Sequence, residues 1–86
     1  MLEVSYSTEF FRKLKNLPED LQEEVFEKID LFKNKKNHQV LKVHKLKGKL
    51  QSRFSFSVDY KFRIIFKYIS NKEAFLLTIG DHSIYK

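Results

Sequence analysis

Three side chains in the second half of this 86-residue chain, Arg63, His82 and Tyr85, could act on one substrate. An arginine fork matches two phosphate oxygens. A histidine takes up or releases a proton near neutral pH. Together such groups can cleave RNA without a metal: a base activates the 2′-hydroxyl, the arginine stabilises charge growing on the phosphate, and an acid protonates the departing oxygen. Each proton-transfer group is typically worth about 10² to 10⁴ in rate. Taken singly, His82 is an ordinary turn residue and Tyr85 an ordinary packing residue, so their positions must decide.

Other chemistries lack their residues. The chain has no cysteine, which removes thiolate metal sites and disulfides and fits a reducing cytosol. His38 and His44 are six apart in a loop and His82 is distant, so the spacing completes no metal site. Gly48 and Gly80 are the only glycines; phosphate loops, nucleophile elbows and dinucleotide fingerprints are therefore missing, and no cofactor is expected. No signal peptide or membrane-length apolar run is visible, so a soluble cytoplasmic protein without membrane association is expected.

The charge divides along the chain. Up to Phe32 there are four Lys/Arg against eight Asp/Glu; from Lys33 onward there are thirteen against three. An acidic front and a basic rear suggest that the rear meets a polyanion, although basic loops also serve solubility.

The elements that must position these groups follow from periodicity. Leu2 to Tyr6 alternates and predicts a strand; Ser7 predicts an N-cap, and Phe10, Phe11, Leu14 and Leu17 recur at helical spacing up to Pro18. Leu21, Val25, Ile29 and Phe32 form one face of a second helix from Pro18 to about Asn34, with acidic residues at its start and lysines at its end, as the helix dipole favours. A partly anchored lysine-rich loop follows, in which His38 and His44 are expected to be exposed. Three alternating runs, Arg53 to Val58, Phe62 to Ile69 and Ala74 to Ile79, are joined by connections short enough to require antiparallel neighbours. The expected architecture is a single α+β domain over residues 1–86, in the order βααβββ, with two helices on one face of an antiparallel sheet.

Alternation then distributes the side chains. Phe54, Phe56 and Val58 face the helices, as do Phe62, Ile64, Phe66 and Tyr68; Arg53, Ser55, Ser57 and Arg63 fall on the other face. If the last strand pairs beside the one carrying Arg63, Gly80 ends it and Asp81 and His82 form the exit turn. His82, Tyr85 and Arg63 could then converge. Asp59 reads as a hairpin former.

The stretches LKGKLQSRFSFSVDYKFRIIFKY and LLTIGDHSIY resemble the RelE/ParE superfamily of toxins from toxin–antitoxin operons, above all its RelE and YoeB/YafQ-like ribonuclease branches. The likeness spans essentially the whole chain and rests on Leu46, Lys47, Gly48, Arg53, Arg63 to Phe66, and Ile79, Gly80, His82 and Tyr85. It implies a RelE-like microbial ribonuclease fold and a metal-independent endoribonuclease that cuts mRNA at the ribosomal A site, leaving a 2′,3′-cyclic phosphate, and that a cognate antitoxin protein neutralises. By the resemblance Arg63 holds the scissile phosphate, His82 is an acid or base, and Tyr85 stacks on or deprotonates the substrate. Arg53, Ser55, His44, Lys45, Lys47 and Lys49 are the implied substrate-binding residues. RelE-type enzymes tend to carry two lysines where this chain has Arg53 and Ser55, and the YoeB-type catalytic glutamate has no clear match. Branches that inhibit DNA gyrase by binding, and attenuated members that only bind antitoxin, share the fold, so the fold does not choose among these activities.

Overall fold

The computed structural model describes residues 1–48 and 52–85, without the side chain of Tyr85. A first strand, β1 (Glu3–Tyr6), leads into α1 (Thr8–Lys15) and α2 (Glu19–Phe32). Ser7 caps α1 as its sequence position predicts: Oγ accepts from the Phe10 amide at 2.9 Å, while the hydroxyl donates to the Leu77 carbonyl at 2.7 Å. Phe10 and Leu14 are buried, and Phe11 is half exposed. Helix α2 has no side-chain cap; Gln22 instead ties it to the end of α1 and to the connection, donating to the Lys15 carbonyl at 3.3 Å and the Leu17 carbonyl at 2.8 Å. Val25, Ile29 and Phe32 face the core, with Leu21 packed beside them.

Beyond α2, a short 3₁₀ turn (Lys35–Asn37) leads to β2 (His44–Lys45), followed by β3 (Phe54–Ser57), β4 (Arg63–Ser70), β5 (Glu73–Gly80) and a closing 3₁₀ turn (His82–Tyr85). The strand order is β1-β5-β4-β3-β2. Strands β3, β4 and β5 form the antiparallel meander that their short connections demand. Strand β1, however, pairs parallel with β5, from Glu3↔Glu73 to Tyr6↔Leu76, so the sheet is mixed rather than antiparallel. No short loop joins these two strands, and the alternation that marks a strand carries no direction. The second departure is β2: His44 and Lys45, expected in a loop, pair with Ser55 and Phe54, and the Leu46 amide donates to the Arg53 carbonyl at 2.9 Å.

The core is aromatic. Phe32 stacks on Phe56 with centroids 4.3 Å apart and meets Phe66 edge-on at 4.8 Å; all three are fully buried, each contributing about 2–3 kcal/mol of apolar transfer. His38 stacks on the other side of Phe32 at 4.8 Å, and its Nε2 lies 2.8 Å from the Phe32 carbonyl. It is half buried rather than exposed, because a flat ring with one N–H can extend an aromatic stack and satisfy a helix-end carbonyl together.

Strict alternation between β4 and β5 fails at two places, between Ile65 and Phe66 and between Tyr68 and Ser70. At the first, Ile65 pairs with Thr78 but Phe66 pairs with Leu76, so Leu77 is an extra residue in β5. This bulge lets both Leu76 and Ile79 face the core, and its carbonyl is the one that Ser7 engages.

Candidate functional site

Arg63 is the first residue of β4, opposite Ser57 on β3 and Gly80 on β5. Partners in register point to the same face, here the one turned away from the buried Phe56 and Ile64. Arg63 Nη1 donates to the carbonyls of Asp59 and Phe62, which fastens the guanidinium to the β3–β4 turn. Nε and Nη2 make no hydrogen bond among the described residues. A planar donor pair is thus held in place by its own hairpin.

His44 arrives on the same face from β2, through its pairing with Ser55. Its Nδ1 lies 2.8 Å from the Lys42 carbonyl. A carbonyl only accepts, so Nδ1 carries the hydrogen and Nε2 is the atom left to exchange a proton. Lys42 adopts φ +59°, a left-handed conformation uncommon outside glycine, where the chain bends into β2.

His82 comes from the opposite side, and Gly80 explains how. A Cβ on Gly80 would lie 2.3 Å from Ile84 Cγ2, so the closing turn folds back over the sheet face beside Arg63 only because that position has no side chain. The Ser83 amide donates to Asp81 Oδ1 at 3.0 Å and stiffens the same turn. That bond, then the Ser83 hydroxyl, hold the Asp81 carboxyl below its ordinary range against a small opposing desolvation, with Lys61 and His82 adding weaker attraction.

These pieces enclose a shallow pocket of about 420 Å³ lined by Lys42, His44, Leu46, Ser57, Arg63 and His82. Every ionisable side chain in this lining is basic. Two imidazoles and a guanidinium around one concavity can hold a phosphate and move protons on either side of it.

Arg63, His44 and His82 therefore meet in one place, while other sequence candidates do not join them. Arg53 lies on the same face, but it is four residues from Ser57 along the strand, roughly 13 Å at about 3.3 Å per residue, and it donates to Ser52 Oγ. Ser55 is fully buried and sits beneath the face, so a role in touching substrate does not fit its burial. Lys45 pairs with Phe54 and so projects from the face opposite to that of His44; Lys47 is exposed outside the pocket. Lys49 lies outside the described residues, as does the side chain of Tyr85, whose backbone belongs to the His82 turn. Ser57 and Lys42 line the pocket without having been singled out. Ser57 was legible as the third member of the Arg53–Ser55–Ser57 alternation; Lys42 depends on a backbone turn that no residue pattern announces.

Two helices on one face of a five-stranded mixed sheet, in this order, are the fold of the RelE/ParE-like toxins. The DinJ–YafQ toxin–antitoxin complex of E. coli aligns over 96% of this chain and 94% of its own with TM-score 0.74 and 18% identity. The archaeal RelE–RelB complex of Pyrococcus horikoshii covers 93% of each chain, with TM-score 0.73 and 17% identity. The solution structure of the conserved protein HP0894 from Helicobacter pylori covers 96% and 97%, with TM-score 0.70 and 22% identity. No family model and no curated protein sequence matches the chain. Among the described residues no helix is long and apolar enough to cross a membrane.

Proposed function

We propose that the chain is the toxin of a type II toxin–antitoxin pair and acts as a metal-independent mRNA endoribonuclease on the cytoplasmic ribosome. The supporting observation is the all-basic pocket in which His44, Arg63 and His82 meet. Arg63 holds the scissile phosphate through the donors its hairpin leaves available. One imidazole removes the proton of the 2′-hydroxyl as O2′ attacks phosphorus; the other delivers a proton to O5′ as the P–O5′ bond breaks. The products are a 2′,3′-cyclic phosphate and a 5′-hydroxyl, with charge on the phosphorane stabilised by the guanidinium. His44, through Nε2, suits the base role, because its Nδ1–H is anchored to a carbonyl and its tautomer is fixed. Tyr85 is assigned to stacking on the substrate.

Purified protein added to translating ribosomes is expected to cut mRNA in the A site, with cut ends mapped by primer extension. Arg63→Ala should abolish cutting while circular dichroism stays native. Intact mRNA, or growth arrest that survives combined Arg63→Ala and His82→Ala changes, would replace this reading with a toxin that acts by binding. The cognate antitoxin is assigned to the exposed apolar residues of the helices, Phe11 and Phe26, as a segment that folds on contact.

A further inference from the structure

Beside the pocket, with Arg63 as a shared wall, lies a second concavity of about 290 Å³ whose lining includes Leu31, Val40, Lys42, Asp59 and Tyr60. Tyr60 is 89% exposed and Val40 80%, so an aromatic and an aliphatic side chain stand in water next to a guanidinium. A residue at the tip of a loose hairpin is often exposed for no purpose. This tip is not loose. Asp59 Oδ1 accepts from the amides of Lys61 at 2.8 Å and Phe62 at 2.6 Å, and the Val58 amide donates to the Phe62 carbonyl at 2.9 Å. Arg63 Nη1 also donates to the carbonyl of Asp59, the residue just before Tyr60. The phosphate-holding group and the exposed phenol ring are thus built on one stiff turn.

We propose that Tyr60 is a stacking platform for the base of a nucleotide adjoining the phosphate held by Arg63. This rests on the ribonuclease reading and deepens it by assigning a second nucleotide subsite. With a phosphate on Arg63, the chain of a single-stranded RNA extends from it in two directions. One neighbour enters the pocket with His44 and His82; the other lies in the groove with its base against Tyr60. The lining favours RNA over a purely apolar ligand, because Lys28, Lys42 and Arg63 border the same groove and Asp59 is its single carboxylate. Aromatic rings interleaved with cations are the common means of holding single-stranded nucleic acid, since every base has a π face and every linkage a charge.

The test uses a fluorescent single-stranded RNA with a 2′-O-methyl group at the attacking position, which blocks cleavage, and reads binding by anisotropy. Tyr60→Phe keeps the ring and is expected to bind within two-fold of the unchanged protein. Tyr60→Ala should weaken binding roughly ten-fold, the usual scale for losing one stacked base. Removing the base at the adjoining nucleotide should weaken the unchanged protein by a similar factor and Tyr60→Ala by little more, which identifies the two partners of one contact. Equal affinity of Tyr60→Ala and the unchanged protein would overturn this inference alone, as would base-removal and Tyr60→Ala losses that simply multiply. Unchanged RNA affinity with lost binding to an antitoxin peptide would assign the groove to protein and overturn it as well. Failure of the unchanged protein to bind RNA, free or on ribosomes, would overturn the ribonuclease reading and this inference with it.

Discussion

Adding one methyl group at Gly80 tests whether the closing turn is placed by the sheet. The new Cβ would stand 2.3 Å from Ile84 Cγ2, whereas ordinary contact begins near 3.4 Å, so the Ile84 side chain or the turn that carries it must shift by about 1.1 Å. Gly80 has no positive φ, so the effect is steric and not a backbone penalty. Overpacking a closed core typically costs about 1–3 kcal/mol. Here the obstructing group belongs to a turn at the margin of the fold, which can lift away. Gly80→Ala should therefore lower stability by no more than about 1 kcal/mol, a fall in Tm of roughly 4–8 °C at this size. Activity should suffer far more. His82 rides on the displaced turn, and an error of about 1 Å in a reacting group can cost about 10²-fold in rate. Single-turnover cleavage and thermal melting on the same preparation read the two effects separately. Ile84→Ala removes Cγ2 and leaves Cβ at 3.6 Å, an ordinary contact, so Gly80→Ala with Ile84→Ala should recover most of the rate that Gly80→Ala loses, with Ile84→Ala alone as control. Near-normal cleavage by Gly80→Ala, or no recovery in the double variant, would refute the reasoning.

Cleavage rate against pH should trace a bell, since one imidazole must be neutral while the other is charged; His44→Ala and His82→Ala should each remove a different limb, and loss of the same limb by both would contradict the assignment. Ser7→Ala removes the cap on α1 and the donor to the bulge carbonyl of Leu77, and should cost about 2 kcal/mol by urea unfolding; a loss under about 0.5 kcal/mol would mean that neither bond matters. The Asp81 carboxyl is held low, so its tie to Ser83 is fully present above the ordinary value of 3.8 and is lost as pH falls through the lowered one. An NMR titration of the Ser83 amide should show its midpoint below 3.8, and a midpoint at or above it would show that the bond is not formed in solution.

Helices and hairpins were legible because their signals are local. Ser7 and the Phe10–Leu14 spacing define α1, and the four, four and three spacing of Leu21, Val25, Ile29 and Phe32 defines α2. The face shared by Arg63 and Ser57 followed from alternation alone. What escaped depends on partners distant in sequence. The parallel pairing of β1 with β5 brings together residues 70 positions apart, as in Glu3 with Glu73. Strand β2 is two residues long and has no alternation to detect. The bulge at Leu77 sits in a continuous apolar run, where period two cannot reveal a slipped residue. For the site, His44 was weighed as a loop residue because only its pairing with Ser55 places it beside Arg63. His82 was placed correctly since one strand and one glycine separate it from that neighbour.

The strand order carries a consequence for how the molecule is made. Strand β5 is the last of the five to be synthesised, yet it lies between β1 and β4. Until residues 73–80 emerge, the earliest strand has no strand to pair with, the bulge carbonyl that receives Ser7 does not exist, and α1 lacks the strand it packs against. Such long-range closure is slow relative to local helix formation. The basic pocket, which draws on β2, β4 and the turn after β5, therefore cannot form until residues 80–82 have joined the segments made before them.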